Sequence, residues 1–417
     1  MLPGGYGMNI LHLIHRSLPF HGGAERYVLE HALAASRWGH TSTIATTDAW
    51  DVSLFGDRHG ARVVPAEETW RDVRIIRFRV THPPLDSIRR AVLRRLFPGG
   101  PDRFFHPNPS IPGLGRWLSR ERGFSFVHAN AMPFLLYHGY RHASSRACGL
   151  ASVPHANIGE RYRRLSDIRY FAGLQPRILR ESSFAVAQSS FEAGLFLDMG
   201  VLPERIHLSG SGIDPAEFAA PDRKAARIRL GFDGPFVLSM TSHCADRGSG
   251  HLIEACRRLW AHGLDFRLVL AGPVARGFGP ELESRLREVP PGRIVLTGYI
   301  EKGQRAGIIA EAAVTALPSR LDCFGIILLE AWACGNPVIG AWSGAMPDLV
   351  DDGVNGYLVS FGDVETLADR IARLLGDPSS RNAMGRAGRE MVLRERTWEK
   401  VTDRFYRRVA ECRPAGE

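Results

Sequence analysis

The stretch PSRLDCFGIILLEAWACGNPVIG, from Pro318 to Gly340, decides the reading of this chain. It closes an apolar run, AAVTALPS, turns through Asp322, and enters a second apolar block that carries an acid, Glu330, inside it. The pattern predicts a strand ending at Pro318 and Ser319, a turn, and a helix starting near Phe324 to Ile327. A helix start offers unpaired backbone N–H groups and the positive end of a dipole. That is a ready site for phosphate oxygens. Glu330 then lies about two helical turns deeper than Asp322, so the two carboxylates can grip separate parts of one elongated ligand. Taken in isolation the pair has plainer explanations: Asp322 capping the helix, and Glu330 facing solvent.

Working outward, the same alternation recurs along the chain. MNILHLIH, TSTIATT, FSFVHAN, GLASVPHA, SSFAVAQSS and RIHLSGSGID read as strands, with ERYVLEHALAASRWG a helix closed by Gly39. A second series follows the polar stretch PAEFAAPDRKAARIRLGFDG: strands PFVLSMTS, FRLVLAG, GRIVLTGYI, AAVTALPS, NPVIGAW and GYLVSFGD, with helices GSGHLIEACRRLWAHG and VETLADRIARLLGD. Short apolar runs alternating with helical stretches predict two α/β units with parallel sheets. Their strands run into polar or glycine-bearing loops, and in open α/β sheets such loops at the carboxyl ends form the ligand crevice. The 417 residues exceed what one hydrophobic core usually organises. The boundary falls near Asp214 to Asp222, giving a first domain over 1–214, a second over 215–390, and a helical tail over 391–417 that can pack back on the first.

Composition narrows the function classes. With 44% hydrophobic and 23% charged residues, the chain has the balance of a soluble globular enzyme. No apolar run approaches the ~18 residues that span a bilayer, and MLPGGYGMNIL lacks the parts of a signal peptide, so a cytoplasmic protein is expected. Cys148, Cys244, Cys256, Cys323, Cys334 and Cys412 are scattered without zinc-site spacing and read as reduced thiols. The net charge of +9 suits an anionic ligand, an acidic membrane surface or nucleic acid, without choosing among them. No zinc-finger spacing or basic-aromatic interleaving points to nucleic acid, which is not an expected partner. VRIIRFRVTHPPLDSIRRAVLRRLF, with Arg89, Arg90, Arg94 and Arg95 on a short helix, reads as a solvated basic face. Peripheral docking to the anionic inner face of a membrane is the alternative. GGYGM and SGSGID lack the order of a dinucleotide fingerprint, and GSGHL has no P-loop lysine.

Pro318, Ser319, Asp322, Cys323, Phe324, Gly325, then Glu330, Ala331, Trp332, Ala333, Cys334 and Gly335 resemble the signature of the retaining glycosyltransferases of family 4. That signature carries two glutamates eight positions apart. FHGGAERYVLEHALAASRWGHTSTIAT, FSFVHAN, GSGID and GAMPDLVDDGVNGYLV, with Asp348 where glutamate is usual, extend the resemblance over nearly the whole chain. It implies the α/β GT-B architecture: two Rossmann-like domains whose parallel sheets face across a cleft. It also implies roles. Glu330 would hold the ribose hydroxyls of a nucleotide and Asp322 the hydroxyls of the donor sugar. The backbone around Phe324, Gly325, Ile326 and Ile327 would face the diphosphate, and Thr297, Gly298 and Tyr299 would flank the base. Gly22 and Gly23 would approach the donor phosphates and acceptor. His128 would lie beside the transferred sugar at a strand end, with His155 at the next strand end as a second histidine facing the crevice. Arg247, followed by Gly248, matches the lysine and glycine that neutralise the diphosphate. No metal and no cofactor beyond the nucleotide-sugar co-substrate are implied.

Two departures bear on the chemistry. Thr241 and Ser242 stand where the family has glycine and arginine, so one cation is missing unless His243 or Arg320 substitutes. Asp322 in place of glutamate withdraws a carboxylate by roughly 1.5 Å, one bond length. The resemblance implies a hexosyltransferase-type enzyme moving a sugar from a nucleotide-diphosphate donor, uridine based, to a hydroxyl acceptor that is a lipid, a polysaccharide or a small natural product. The alternatives are a degenerate GT-B protein that binds a nucleotide sugar and supports a partner enzyme, a nucleotide-sugar epimerase, or a glycoside hydrolase using the paired carboxylates.

Overall fold

The computed structural model describes residues 7–20, 22–82, 109–156, 158–159 and 174–412. The basic helix read around Arg89 to Arg95 lies outside the described residues. The chain divides into two compact units. One comprises Met1–Ala156, Tyr162–Gly210 and Val401–Glu417, the other Asn157–Arg161 and Ser211–Lys400.

The first unit is built on eight strands: β1 Asn9–Leu13, β2 Thr41–Thr47, β3 Glu67–Trp70, β4 Val73–Phe78, β5 Phe126–Asn130, β6 Gly149–Val153, β7 Phe184–Ala187 and β8 Ile206–Leu208. Their order is β3-β4-β2-β1-β5-β6-β7-β8, with β3 antiparallel to β4 and the remaining pairs parallel. The chain moves from β1 outward through β2, then returns to β5 and proceeds the other way. The strand order therefore reverses between β1 and β5, and the loops leaving their carboxyl ends diverge there. Central strands are covered on both faces and so read as almost unbroken apolar runs; β5 is buried at every position. The helix Gly23–Ala34 continues through a tighter turn, Ala35–Trp38, and stops at Gly39, whose φ of 72° lies in the left-handed region open to glycine.

Val73–Phe78 corrects one expectation, because part of the arginine-rich segment is a strand and not a solvated face. Val73 and Ile75 point into the core. Arg77 is buried, and its guanidinium donates to the carbonyls of Leu18 (2.7 Å) and Pro65 (3.0 Å) and pairs with Glu68. A buried cation is tolerated when each donor finds an acceptor. From Val401 onward the helix Trp398–Glu411 belongs to this unit, where the Tyr406 hydroxyl donates to the His31 carbonyl at 2.5 Å.

The second unit has six parallel strands: β9 Phe236–Met240, β10 Arg267–Ala271, β11 Ile294–Gly298, β12 Val314–Leu317, β13 Val338–Ala341 and β14 Gly356–Val359. The order β11-β10-β9-β12-β13-β14 reverses between β9 and β12. The helix Ile326–Ala333, which follows β12, is apolar on every side because it is a core helix. Trp332 is fully buried, its indole N–H donating to the Asn355 carbonyl at 2.7 Å. A β-carbon at Gly388 of the helix Pro378–Glu395 would stand 1.9 Å from the Trp332 ring, so the indole needs glycine opposite it. Truncating such a side chain typically costs about 3–5 kcal/mol, which fixes this helix, and the groups at its start, firmly to the sheet.

Candidate functional site

In the second unit the loops after β9 and β12 leave the switch point and are stitched together. The Arg320 N–H and the Ser319 hydroxyl both donate to the Asp246 carbonyl, at 3.0 and 3.2 Å. The Arg320 guanidinium donates twice to Asp246 Oδ1, at 2.8 and 2.6 Å. Gly248 has φ 71°, and a β-carbon there would lie 2.1 Å from the Pro318 carbonyl oxygen. Both the conformation and the close approach demand glycine. The consequence is that Arg247, on the first loop, pairs with Asp322 on the second. Burial works against the Arg247 charge, yet the Asp322 carboxylate beside it raises the guanidinium above its ordinary value.

Asp322 does more than pair. Its Oδ1 accepts hydrogen bonds from the N–H groups of Phe324 (3.0 Å) and Gly325 (2.7 Å). Gly325 has φ 78° and stands at the N-cap of the helix Ile326–Ala333. The amides of Ile326 and Ile327, the first two of that helix, have no acceptor within it. The side chains of Phe324 and Ile327 are buried, so these positions offer a ligand their backbone only. Glu330 is 5% exposed and pairs with Arg305 of the helix Lys302–Glu311. The solvent-facing alternative for Glu330 is thereby removed, and Asp322 closes the turn ahead of the helix Ile326–Ala333 without capping it, because Phe324 and Gly325 precede its first residue.

Thr297 and Gly298 end β11, two strands from β9 and hence ~10 Å away. Gly298 has φ 64° and accepts the Gly272 N–H at 2.7 Å; Tyr299 is exposed. Neither substitute for the missing cation is free. His243 is fully buried, its Nδ1 3.2 Å from the Ser249 hydroxyl, and burial pushes its pKa down to about 4, so it is neutral at pH 7. Arg320 is engaged by Asp246 and lies over the Phe361 ring.

The first unit presents its own polar edge at the β1/β5 switch point. Gly22 caps the helix Gly23–Ala34, and a β-carbon there would meet Glu25 Oε2 at 2.2 Å. Glu25 is buried, takes hydrogen bonds from Arg16 (Nε to Oε1, 3.0 Å), and lies 3.7 Å from His15 Nε2. Burial raises its pKa, against the Arg16 charge. His15 stacks on Phe134 with ring centroids 4.5 Å apart. After β5 and β6, Ala131 and His155 adopt φ of 66° and 52°, a conformation costly for residues with a β-carbon and concentrated at functional sites.

His128 is corrected here. It does not end its strand, because β5 continues to Asn130. Its side chain is fully buried, with Nδ1 2.9 Å from His12 Nδ1 and its ring 4.5 Å from that of Phe405. A side chain walled in by core residues meets no ligand. The residue at the strand end is Asn130, whose Oδ1 lies 3.0 Å from His155 Nε2.

Arg305, Asn130, Glu25 and Glu192 were missed from the sequence. Glu192 carried the one visible signal, the spacing Ser189-x-x-Glu192 of a capping box. The Ser189 hydroxyl accepts the Glu192 N–H at 3.1 Å, and the Glu192 carboxylate accepts the Gln188 N–H at 2.7 Å and bonds the Ala156 backbone beside His155.

Residues 21–217 match the profile of Glycosyltransferase Family 4, and residues 222–391 that of Glycosyl transferases group 1. The chain belongs to glycosyltransferase family 4. Among family relatives, a GDP-mannose-dependent monoacylated alpha-(1-6)-phosphatidylinositol monomannoside mannosyltransferase of Corynebacterium glutamicum is 34% identical over 210 residues, 47% of this chain and 53% of that protein. The chain thus spans about half the length of that relative. A D-inositol 3-phosphate glycosyltransferase of Saccharomonospora viridis is 30% identical over 313 residues, 72% of this chain and 67% of that one. The crystal structure of Anabaena HepE with UDP and glucose superposes with a TM-score of 0.73 at 18% identity, covering 97% of this chain and 100% of the other, a likeness of fold. The fold of this family 4 chain is therefore α/β, of the GT-B kind, with a sheet that is parallel but for β3 in the first unit and parallel throughout in the second.

Proposed function

We propose that this family 4 chain transfers a sugar from a nucleotide-diphosphate donor, uridine based, to an acceptor hydroxyl with retention of configuration. The observation that carries the reading is the convergence at the β9/β12 switch point of Arg247, the open amides of the helix Ile326–Ala333, and the buried acid Glu330. Positive groups preorganised around one point stabilise the charge that builds on a departing diphosphate. A buried carboxylate one and a half turns further along the helix suits the vicinal hydroxyls of a ribose. The loop Thr297–Tyr299, ~10 Å away, suits the base. A diphosphate oxygen takes the acceptor proton on the face the leaving group departs from, so no protein nucleophile is needed. Arg247 and the amides supply the positive charge, and we infer that no metal ion is required. The polar edge of the first unit, with Asn130, His155, Arg16 and Glu25, suits a hydroxylated acceptor. The relatives support the donor class: one is named for its use of GDP-mannose and one was solved with UDP.

Glu330→Gln tests the reading. Losing a charge-assisted hydrogen bond costs about 1.5–3 kcal/mol, an expected tenfold to hundredfold drop in kcat/KM with UDP-glucose or GDP-mannose as the probe donor. Unchanged kinetics in a folded variant would remove Glu330 from the site. A second reading, a sugar-nucleotide binder without turnover, is favoured by Thr241 and Ser242 standing where the family has a cation and by the neutral His243. Tight donor binding with neither transfer nor slow hydrolysis would select it.

A further inference from the structure

An anion cradle that is empty in the resting protein exposes a costly arrangement, because amide N–H groups and a guanidinium lacking acceptors raise the free energy of the folded chain. This chain has filled its own. Asp322 Oδ1 accepts from the N–H groups of Phe324 and Gly325 at 3.0 and 2.7 Å, and Oδ2 pairs with Arg247. Arg247 is a donor that the proposed function gives to the diphosphate, and the Phe324 and Gly325 amides adjoin the open amides of Ile326 and Ile327. Aspartate suits the task because its short arm reaches N–H groups two and three residues on, the geometry of an Asx turn. The Gly344 backbone packs close to that of Asp322, since a β-carbon there would stand 3.1 Å from the Asp322 carbonyl oxygen, and rotation of the side chain is the simplest way for the carboxylate to leave.

We propose that Asp322 is a placeholder anion that keeps the cradle in its binding shape, yields it to the donor diphosphate, and discriminates sugar nucleotides from free nucleoside diphosphates. The proposal rests on the donor-site reading above. A diphosphate on the Ile326 and Ile327 amides that also takes Arg247 displaces Asp322 from that guanidinium. The displaced carboxylate needs new hydrogen-bond donors or remains a poorly solvated charge beside another. The hydroxyls of a donor sugar supply them. A nucleoside diphosphate without its sugar supplies none, so the returning Asp322 carboxylate competes with it. The device therefore favours donor capture and, after transfer, release of the nucleoside diphosphate.

The test is calorimetric titration of UDP against UDP-glucose, and GDP against GDP-mannose, at fixed ionic strength, on the wild-type chain and on Asp322→Asn. The asparagine keeps an oxygen for the amides and loses the charge. Asp322→Ser, which retains a capping oxygen, stands in if the first variant melts abnormally. The expected result is at least tenfold tighter binding of the free nucleoside diphosphate, with a smaller gain for the sugar nucleotide, so that the preference for the sugar nucleotide falls at least fivefold. An unchanged preference, or weaker nucleoside diphosphate binding in both variants, overturns the placeholder. Arg247→Gln separates this failure from failure of the donor site. If that variant loses nucleotide binding while Asp322→Asn leaves the preference intact, only the placeholder falls; if no nucleotide binds the wild-type chain, both fall.

Discussion

Acidification should open the first unit. Four of its histidines, His12, His15, His31 and His155, are buried deeply enough that desolvation lowers each pKa from 6.5 to about 3. The folded value lies below the unfolded one, so the stability these groups permit is fully present above pH 6.5 and is lost as pH falls toward 3, where the unfolded chain binds protons that the folded chain refuses. One such histidine loses on the order of 1 kcal/mol between pH 7 and pH 5.5, and the four together lose several kcal/mol over that span. Glu192 opposes them. Burial raises its pKa from 4.5 to about 7, so the folded state gains on the order of 1–2 kcal/mol as pH drops from 7 to 5.5. The raised Glu25 acts in the same direction. His128, His138 and His207 of the same unit are lowered by burial too, so the histidines outweigh the acids and the net expectation is a loss of several kcal/mol, a large share of the 5–15 kcal/mol by which domains are typically stable. Urea unfolding at pH 7 and pH 5.5 measures the change, and hydrogen exchange read by peptide assigns it to the first unit. Stability that holds or rises between these pH values, or opening of the second unit first, would refute the reasoning.

Further outcomes follow from the second unit. Gly248→Ala forces a residue with a β-carbon into a left-handed conformation, costing about 1–2 kcal/mol, and drives that carbon against the Pro318 carbonyl. Thermal melting should show the second unit destabilised, and titration should show weaker nucleotide binding because Arg247 is displaced; a variant normal in both would uncouple the loop from the site. The proposed chemistry draws its positive charge from Arg247 and backbone amides. Transfer rates should therefore be unchanged by EDTA, and a loss restored by added divalent cation would contradict that chemistry.

Much of the fold was legible because central parallel strands are buried on both faces and stop at glycine or polar loops. PFVLSMTS, FRLVLAG and NPVIGAW each contain a strand of the second sheet. The strand Val73–Phe78 was not legible, because Arg74 and Arg77 break its apolar character and only tertiary contacts reveal that Arg77 finds acceptors inside. His128 shows the limit of reading a strand end by pattern: His128 and Asn130 share one face of the strand, and only the strand's length decides which of them sits in the core and which at the rim. In the proposed donor cradle the positions of Asp322 and Glu330 about a helix start were read from the pattern, and Gly325 came from the family resemblance. Arg305 was not, since its partner lies 25 residues away on another helix and nothing in EKGQRAGIIAE marks it. The turn that Asp322 closes on the Phe324 and Gly325 amides was not read from the sequence, which offered a helix cap in its place. Among the described residues no helix is long and apolar enough to cross a membrane.

The most direct test of the donor cradle is a crystal structure of this chain soaked with UDP-glucose. The expected density places diphosphate oxygens ~3 Å from the amide nitrogens of Gly325 to Ile327 and from the Arg247 guanidinium, the ribose against Glu330, and the Asp322 carboxylate turned toward the sugar. A nucleotide bound elsewhere, with the Arg247–Asp322 and Arg305–Glu330 pairs both intact, would contradict the account.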